Sequence, residues 1–152
     1  MIEIKGDIWS FWQSRQWVAI TTNGIVKKDG TAVMGKGIAL QAAQRFPDLP
    51  KQLALKIKSM GNCVFIFPEY RVATFPTKTD WKNNSDLLLI GDSCRQLRQL
   101  LFIHSIEKIF LPRPGCENGG LLWKDVKPVL ESILIEDRFV VVEYVANVER
   151  KC

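Results

Sequence analysis

Three apolar, β-branched runs constrain this chain more than any other feature: Trp17–Thr22 (WVAITT), Lys108–Pro112 (KIFLP) and Phe139–Tyr144 (FVVVEY). Each is short and apolar along its length instead of alternating, which is how a strand buried on both faces reads. Met1 to Lys5 alternates as a further short strand. Val64–Phe67 and Arg71–Phe75 flank a Pro68-Glu69 turn as two more. Helix-length segments lie between them. Gly37 to Phe46 has near-helical spacing and stops at Pro47, and Leu49 to Met60 stops at Gly61. Ser85 is placed to cap a long helix reaching about Ile103, and another runs from Leu121 to about Leu134. Buried strands alternating with helices require a three-layer α/β domain with helices on both faces of one sheet. Ligands of such sheets sit beyond the carboxyl ends of the strands.

With 152 residues the chain is long enough for one domain with an ordinary core, so residues 1–152 are read as a single unit. The N-terminus is alternating and charged, unlike a targeting segment, and no apolar run approaches the ~18 residues needed to cross a bilayer. Four cysteines without a CxxC pair exclude zinc-ribbon and thioredoxin-type sites, and free thiols fit a reducing cytoplasm. The single histidine, His104, excludes a His-based triad or a histidine-rich metal centre, so no metal and no cofactor are expected. A net charge of +5 favours a polyanionic partner such as a nucleotide or nucleic acid. No membrane partner is expected, and a monomer is.

Two glycine-bearing loops precede helices. The first joins Asn23-Gly24 to Val33-Met34-Gly35-Lys36-Gly37, and the second is Gly115-Cys116-Glu117-Asn118-Gly119-Gly120. Glycines let the backbone approach a ligand closely, and a helix start offers free N–H groups to an anion. Taken singly each loop is an ordinary turn, but facing one another they would grip a pyrophosphate. Neither matches the P-loop or GxGxxG patterns, which disfavours a Rossmann-type dinucleotide site. A third loop, Phe75 to Ser85, carries Lys78 directly after an apolar strand, where it is either a solvated charge or a partly buried amine able to act as a nucleophile. In the same loop Trp81 either stacks on a base or anchors the loop to the core. Asp7, just past the first strand, either caps a turn or accepts a hydrogen bond from an exocyclic amine.

The ordered set GDI (Gly6-Asp7-Ile8), Asn23, VMGKGIA (Val33 to Ala39), FPTKxxW (Phe75 to Trp81) and a PxGCxNGGLxW-like segment (Pro112, then Pro114 to Trp123) resembles the macrodomain family. Within that family it is most similar to the branch holding DarG-type DNA ADP-ribosyl glycohydrolases and the terminal ADP-ribose glycohydrolase of animals. The resemblance runs in order from Met1 to about Tyr144. It implies a central mixed, mostly parallel six-stranded sheet between helices, with ADP-ribose across its crest. Carried over by position, it implies that Asp7 and the Ile8 backbone hold the adenine, and that Gly35, Lys36 and Gly37 line the first ligand loop. Gly115, Cys116, Glu117, Asn118, Gly119, Gly120 and Leu121 fall at the second loop, Thr77 beside the lysine. Asn23 would hold the distal ribose, and Lys78 would be the catalytic lysine, with Asn23 its companion. The animal enzyme carries an acidic residue where Gly119 stands, whereas the bacterial DNA-directed enzymes read NGG there. Glu117 stands where glycine is usual.

The resemblance therefore implies an ADP-ribosyl hydrolase, acting on ADP-ribose attached to nucleic acid or to protein. The alternatives are a phosphatase of ADP-ribose 1″-phosphate and a non-catalytic ADP-ribose reader. A chain of this length lacks the extra region with which DarG-type antitoxins neutralise a toxin directly, so that mode of inhibition is not expected.

Overall fold

The computed structural model describes residues 1–145, so Cys152 and the last few residues of the expected domain lie outside the described part. In chain order the elements are β1 (Ile2–Gly6), α1 (Ile8–Gln13), β2 (Trp17–Thr22), α2 (Gly37–Arg45), α3 (Leu49–Met60), β3 (Phe65–Phe67), β4 (Val72–Pro76), α4 (Leu87–Ile103), β5 (Ile109–Pro112), α5 (Trp123–Ile133) and β6 (Phe139–Tyr144). The six strands form one sheet in the order β1-β6-β5-β2-β4-β3. All pairs are parallel except the β3–β4 hairpin, where Ile66 faces Ala73. The expected mixed, mostly parallel six-stranded sheet of a three-layer α/β/α domain is thus observed.

The period-2 alternation of the strands sorts the core into two layers. Val18, Ile20, Val72, Val140 and Val142 point to one face, where α1, α2 and α3 pack through Ile8, Trp9, Ala42, Leu49 and Leu53. Ala19, Ala73, Phe75, Phe139 and Val141 point to the other, under α4 and α5. α4 buries Ile90, Cys94, Leu97 and Leu101, a 4-3-4 spacing that sets one stripe of the helix against the sheet. Each fully buried leucine in that stripe contributes roughly 1.5–3 kcal/mol.

Three differences from the sequence expectation have physical causes. The helix α1 was not foreseen: IWSFWQ is under two turns long, too short for periodicity to register. It forms because the Asp7 carboxylate accepts the Trp9 N–H at 3.0 Å and because Ile8 and Trp9 have a core to enter. The cap of α4 is Asp86, not Ser85. The Asp86 carboxylate accepts the Leu88 N–H at 2.9 Å, and its charge also suits the positive end of the helix. Ser85 is instead drawn beneath the second glycine loop, donating its N–H to the Gly119 carbonyl at 2.8 Å. Finally, α5 opens at Trp123 instead of Leu121, because the Leu121 N–H closes the loop onto Gly115 O at 2.9 Å.

Candidate functional site

The carboxyl ends of β2, β4, β5 and β6 lie side by side, and the loops that leave them surround a cleft of about 670 Å³. This is the size range of small-molecule sites. Asn23 follows β2, Thr77 and Lys78 follow β4, and the glycine loop follows β5. Gly35, Lys36 and Gly37 lead into α2. The structure brings all of these into one cleft wall, together with Gly115, Cys116, Glu117, Asn118, Gly119 and Leu121. Asp7, Ile8 and Gly120 are not part of that wall. Ile8 is buried in the core, and one oxygen of Asp7 caps α1. Asp7 nevertheless sits just beyond the cleft, because Gly6 pairs with Tyr144, and Tyr144 is an exposed cleft residue at the end of β6.

Both glycine loops end in helices whose N-termini no side chain caps. α2 starts after Lys36 and α5 after Leu122, whereas α1 and α4 are capped by aspartates. The first-turn N–H groups of α2 and those of Trp123 and Lys124 in α5 therefore have no side-chain cap, and the α2 dipole favours an anion there. In α5 the Asp125 N–H is taken by Leu122 O at 2.9 Å, and the Asp125 carboxylate sits in the first turn. The two loops also touch. Gly37 has φ +56°, and a Cβ there would lie 2.8 Å from the Asn118 side-chain nitrogen. Gly119 is packed so tightly that a Cβ would overlap the Ser85 hydroxyl and the Gly115 carbonyl. No acidic side chain fits at position 119 without displacing both of these.

Lys78 reaches across the cleft. Its Nζ donates to the Asn118 carbonyl at 2.9 Å, linking the lysine loop to the glycine loop. Asn23 serves the first loop as well as facing the cleft: its Nδ2 donates to Val33 O at 3.1 Å, and its Oδ1 accepts the Ile25 N–H at 3.0 Å. Cys116 is half-buried in the wall, and desolvation pushes its thiol above the usual range, which disfavours the thiolate. The lining cations are Lys36, Lys78 and Arg113 and the carboxylates Glu117 and Glu143, an excess of one positive charge that suits an anionic ligand.

Several wall residues carry no signal in the sequence. Arg113 stacks over the Trp123 ring at 4.8 Å and meets the Glu143 carboxylate at 3.4 Å, an arrangement set by strand adjacency. Ser85 lines the cleft with a buried hydroxyl that has no hydrogen-bond partner among the described residues. Tyr144 ends a strand that reads as uniformly buried, and only its place past the last covered residue exposes it. Trp81, foreseen as either a base stacker or an anchor, is 47% exposed on the rim with the Lys82 ammonium 5.7 Å from its ring. Among the described residues no group of three His, Cys, Asp or Glu side chains is placed to hold a metal ion, and no helix is long and apolar enough to cross a membrane.

No protein-family model matches the chain. It is 32% identical over 113 residues to the DNA ADP-ribosyl glycohydrolase of Thermus aquaticus, an alignment covering 67% of this chain and 31% of that protein. The chain thus spans 31% to 37% of the length of the curated relatives it matches. The macrodomain of Thermus aquaticus DarG superposes with a TM-score of 0.73 at 26% identity, over 95% of this chain and 97% of that one. The macrodomain of Mycobacterium tuberculosis DarG gives a TM-score of 0.72 at 27% identity, over 87% and 90%.

Proposed function

We propose, from the premise that this chain is a macrodomain of the DarG type, that it binds ADP-ribose and hydrolyses the bond joining it to DNA. The observation that carries the reading is Lys78 Nζ lying 2.9 Å from the Asn118 carbonyl, one amine bridging a lysine loop and a phosphate-type glycine loop. In this reading the pyrophosphate lies between the uncapped starts of α2 and α5. The second carboxylate oxygen of Asp7 and the Ile8 N–H receive the adenine beside Tyr144. Asn23 holds the distal ribose with the amide hydrogen it does not spend on Val33. Gly120 acts through its φ of +74°, which lets the loop turn under the phosphates.

The chemistry at the distal ribose then has two forms. In the covalent form, the distal ribose opens and neutral Nζ of Lys78 adds to C1″, which then expels the acceptor group with the amine's proton, giving an imine. Water hydrolyses that imine to ADP-ribose and the free amine. In the electrostatic form, Nζ stays protonated, donates to the leaving group, and water attacks C1″ directly. Borohydride trapping separates them, since only the first leaves a stable secondary amine on Lys78.

The deciding experiment incubates an ADP-ribosylated thymidine oligonucleotide with the wild type and with Lys78→Ala. The wild type is expected to release ADP-ribose, and the variant to be slower by roughly 10²- to 10⁴-fold while still binding free ADP-ribose. Equal release by both, or none by either, overturns the hydrolase reading. In the second case, binding without release identifies a reader. Phosphate release from ADP-ribose 1″-phosphate with no action on the oligonucleotide identifies a phosphatase.

A further inference from the structure

The segment carrying Lys78 is held by four consecutive carbonyls, each taken by a donor from a different part of the chain. Pro76 O accepts from Ser93 Oγ at 2.7 Å, and Thr77 O from the Asp86 N–H at 2.9 Å. Lys78 O accepts from Asn62 Nδ2 at 3.0 Å, and Thr79 O from the Gly24 N–H at 3.1 Å. β4 ends at Pro76 and its last bond to β2 is from Thr77 N–H to Thr22 O at 3.0 Å, so the two peptide groups flanking the Lys78 Cα lie past the ladder. Two of the four donors are backbone groups that many residues would supply. The donor on the lysine's own carbonyl is a side chain, and it belongs to a residue outside the cleft wall.

Asn62 follows Gly61, the stop of α3, far from any ligand loop in sequence. It also packs against Gly24, where a Cβ would come within 2.9 Å of its amide. One amide thus joins the end of α3 to the exit of β2 and to the backbone of Lys78. A lysine has four rotatable side-chain bonds. Its amine reaches a reacting carbon reproducibly only if its Cα and the adjoining peptides are fixed, and a displacement of about 1 Å can cost on the order of 10²-fold in rate.

We propose that Asn62 is a positioning residue for Lys78. By holding the Lys78 carbonyl it sets where the amine falls, without touching the ligand itself. The inference rests on the hydrolase reading of the cleft for its effect on rate, though not for its effect on the amine's position.

The test is Asn62→Asp, which keeps the shape of the side chain but turns the donor into an acceptor-only carboxylate facing a carbonyl. Asn62→Ala accompanies it as a variant without added charge. For both, kcat on the ADP-ribosylated oligonucleotide is expected to fall by about 10- to 100-fold, with the affinity for free ADP-ribose changed by no more than about twofold. Side-chain ¹⁵N resonances of lysine supply an independent readout. The Lys78 Nζ signal, held by Asn118 O in the wild type, is expected to lose its protection from hydrogen exchange in both variants. Unchanged kcat and unchanged Nζ protection overturn the proposal. So does a loss of ADP-ribose affinity equal to the loss of rate, which is what a merely structural role would produce. A wild type that releases nothing removes the hydrolase reading and leaves the Nζ signal to decide the positioning alone.

Discussion

The lysine loop and the glycine loop meet across the cleft through the bond from Lys78 Nζ to Asn118 O, yet they differ in what their shapes demand. The lysine loop rests on hydrogen bonds alone: all four carbonyls from Pro76 to Thr79 are occupied. The glycine loop has bonded carbonyls too, at Gly115, Asn118 and Gly119, but it also requires the absence of side chains. Gly115 at φ +78° and Gly120 at φ +74° adopt backbone that other residues resist. Gly119 leaves no room for a methyl group between Ser85 and Gly115. The difference suits the tasks proposed for them. A reacting amine needs a fixed origin, while a phosphate cradle needs bare backbone N–H groups that a ligand can approach. The first loop should therefore fail through lost bonds, with rate falling before binding, and the second through added atoms, with binding falling first.

The harshest way to break this contrast is Gly119→Ala. Overpacking a site of this kind costs typically about 1–3 kcal/mol, and here one obstacle is a backbone carbonyl that cannot rotate away. The loop is expected to open instead, so that calorimetry finds no ADP-ribose binding at concentrations that saturate the wild type. Adding Ser85→Gly removes the hydroxyl but not the Gly115 carbonyl, so the double variant should regain only part of the affinity. Normal binding by Gly119→Ala would show that the loop is not held by size. The same geometry explains why Gly119→Asp is not a route to an extra catalytic carboxylate in this chain.

How far the sequence foretold this depends on whether a feature is local. WVAITT and FVVVEY are strands at the residues expected, because composition along one run suffices when both faces are buried. Gly61 stops α3 where expected, since its φ of +88° is a backbone state that glycine alone adopts freely. The glycine loops and Lys78 were visible as types of residue at the ends of strands, and the cleft brings them together. What was not visible depends on partners far apart in the chain. Asn62 matters only because α3 ends beside the lysine loop, and Arg113 only because β6 brings Glu143 alongside it. Ser85 and Asp86 competed for one cap at adjacent positions, and the pull of Gly119 on Ser85, which decided between them, is a tertiary contact. The pairing of Gly6 with Tyr144 likewise puts Asp7 at the cleft's edge, while its capping role, one of the two readings the sequence offered, is seen at the start of α1.

A gentler perturbation of the glycine side is Gly37→Ala. At φ +56° a non-glycine residue costs about 1–2 kcal/mol, and the new methyl would meet only the end of the Asn118 side chain, which can rotate. ADP-ribose affinity is expected to fall by about tenfold, the equivalent of about 1.4 kcal/mol, with the fold retained. Asn118→Ala in the same background removes the obstacle and should restore little, because the strain lies in the backbone. Full recovery in that double variant would move the cause from backbone to side-chain crowding, and would weaken the claim that left-handed glycines set this loop.

The smallest expected effect lies behind the glycine loop, at the edge strand. Glu3 accepts from the Trp123 indole at 3.0 Å and meets the Lys127 ammonium at 2.7 Å, tying β1 to the start of α5. The Lys127 hydrogen bond, above all, holds the Glu3 carboxyl below the usual range, and Glu3 in turn raises Lys127. A lowered carboxyl adds stability above its unfolded value, lost as pH falls through the folded one. A raised ammonium adds stability below its unfolded value, lost as pH rises through the folded one. The contribution is therefore greatest between these limits, at neutral pH. Both groups are substantially exposed, so solvent and salt screen the pair and its worth is small. Glu3→Gln should lower Tm slightly at neutral pH and low salt, with the gap closing in acid and at high salt. A gap that persists in acid would mean that Glu3 acts through the uncharged bond to Trp123, an effect that reaches the cleft wall and would then appear as weaker ADP-ribose binding.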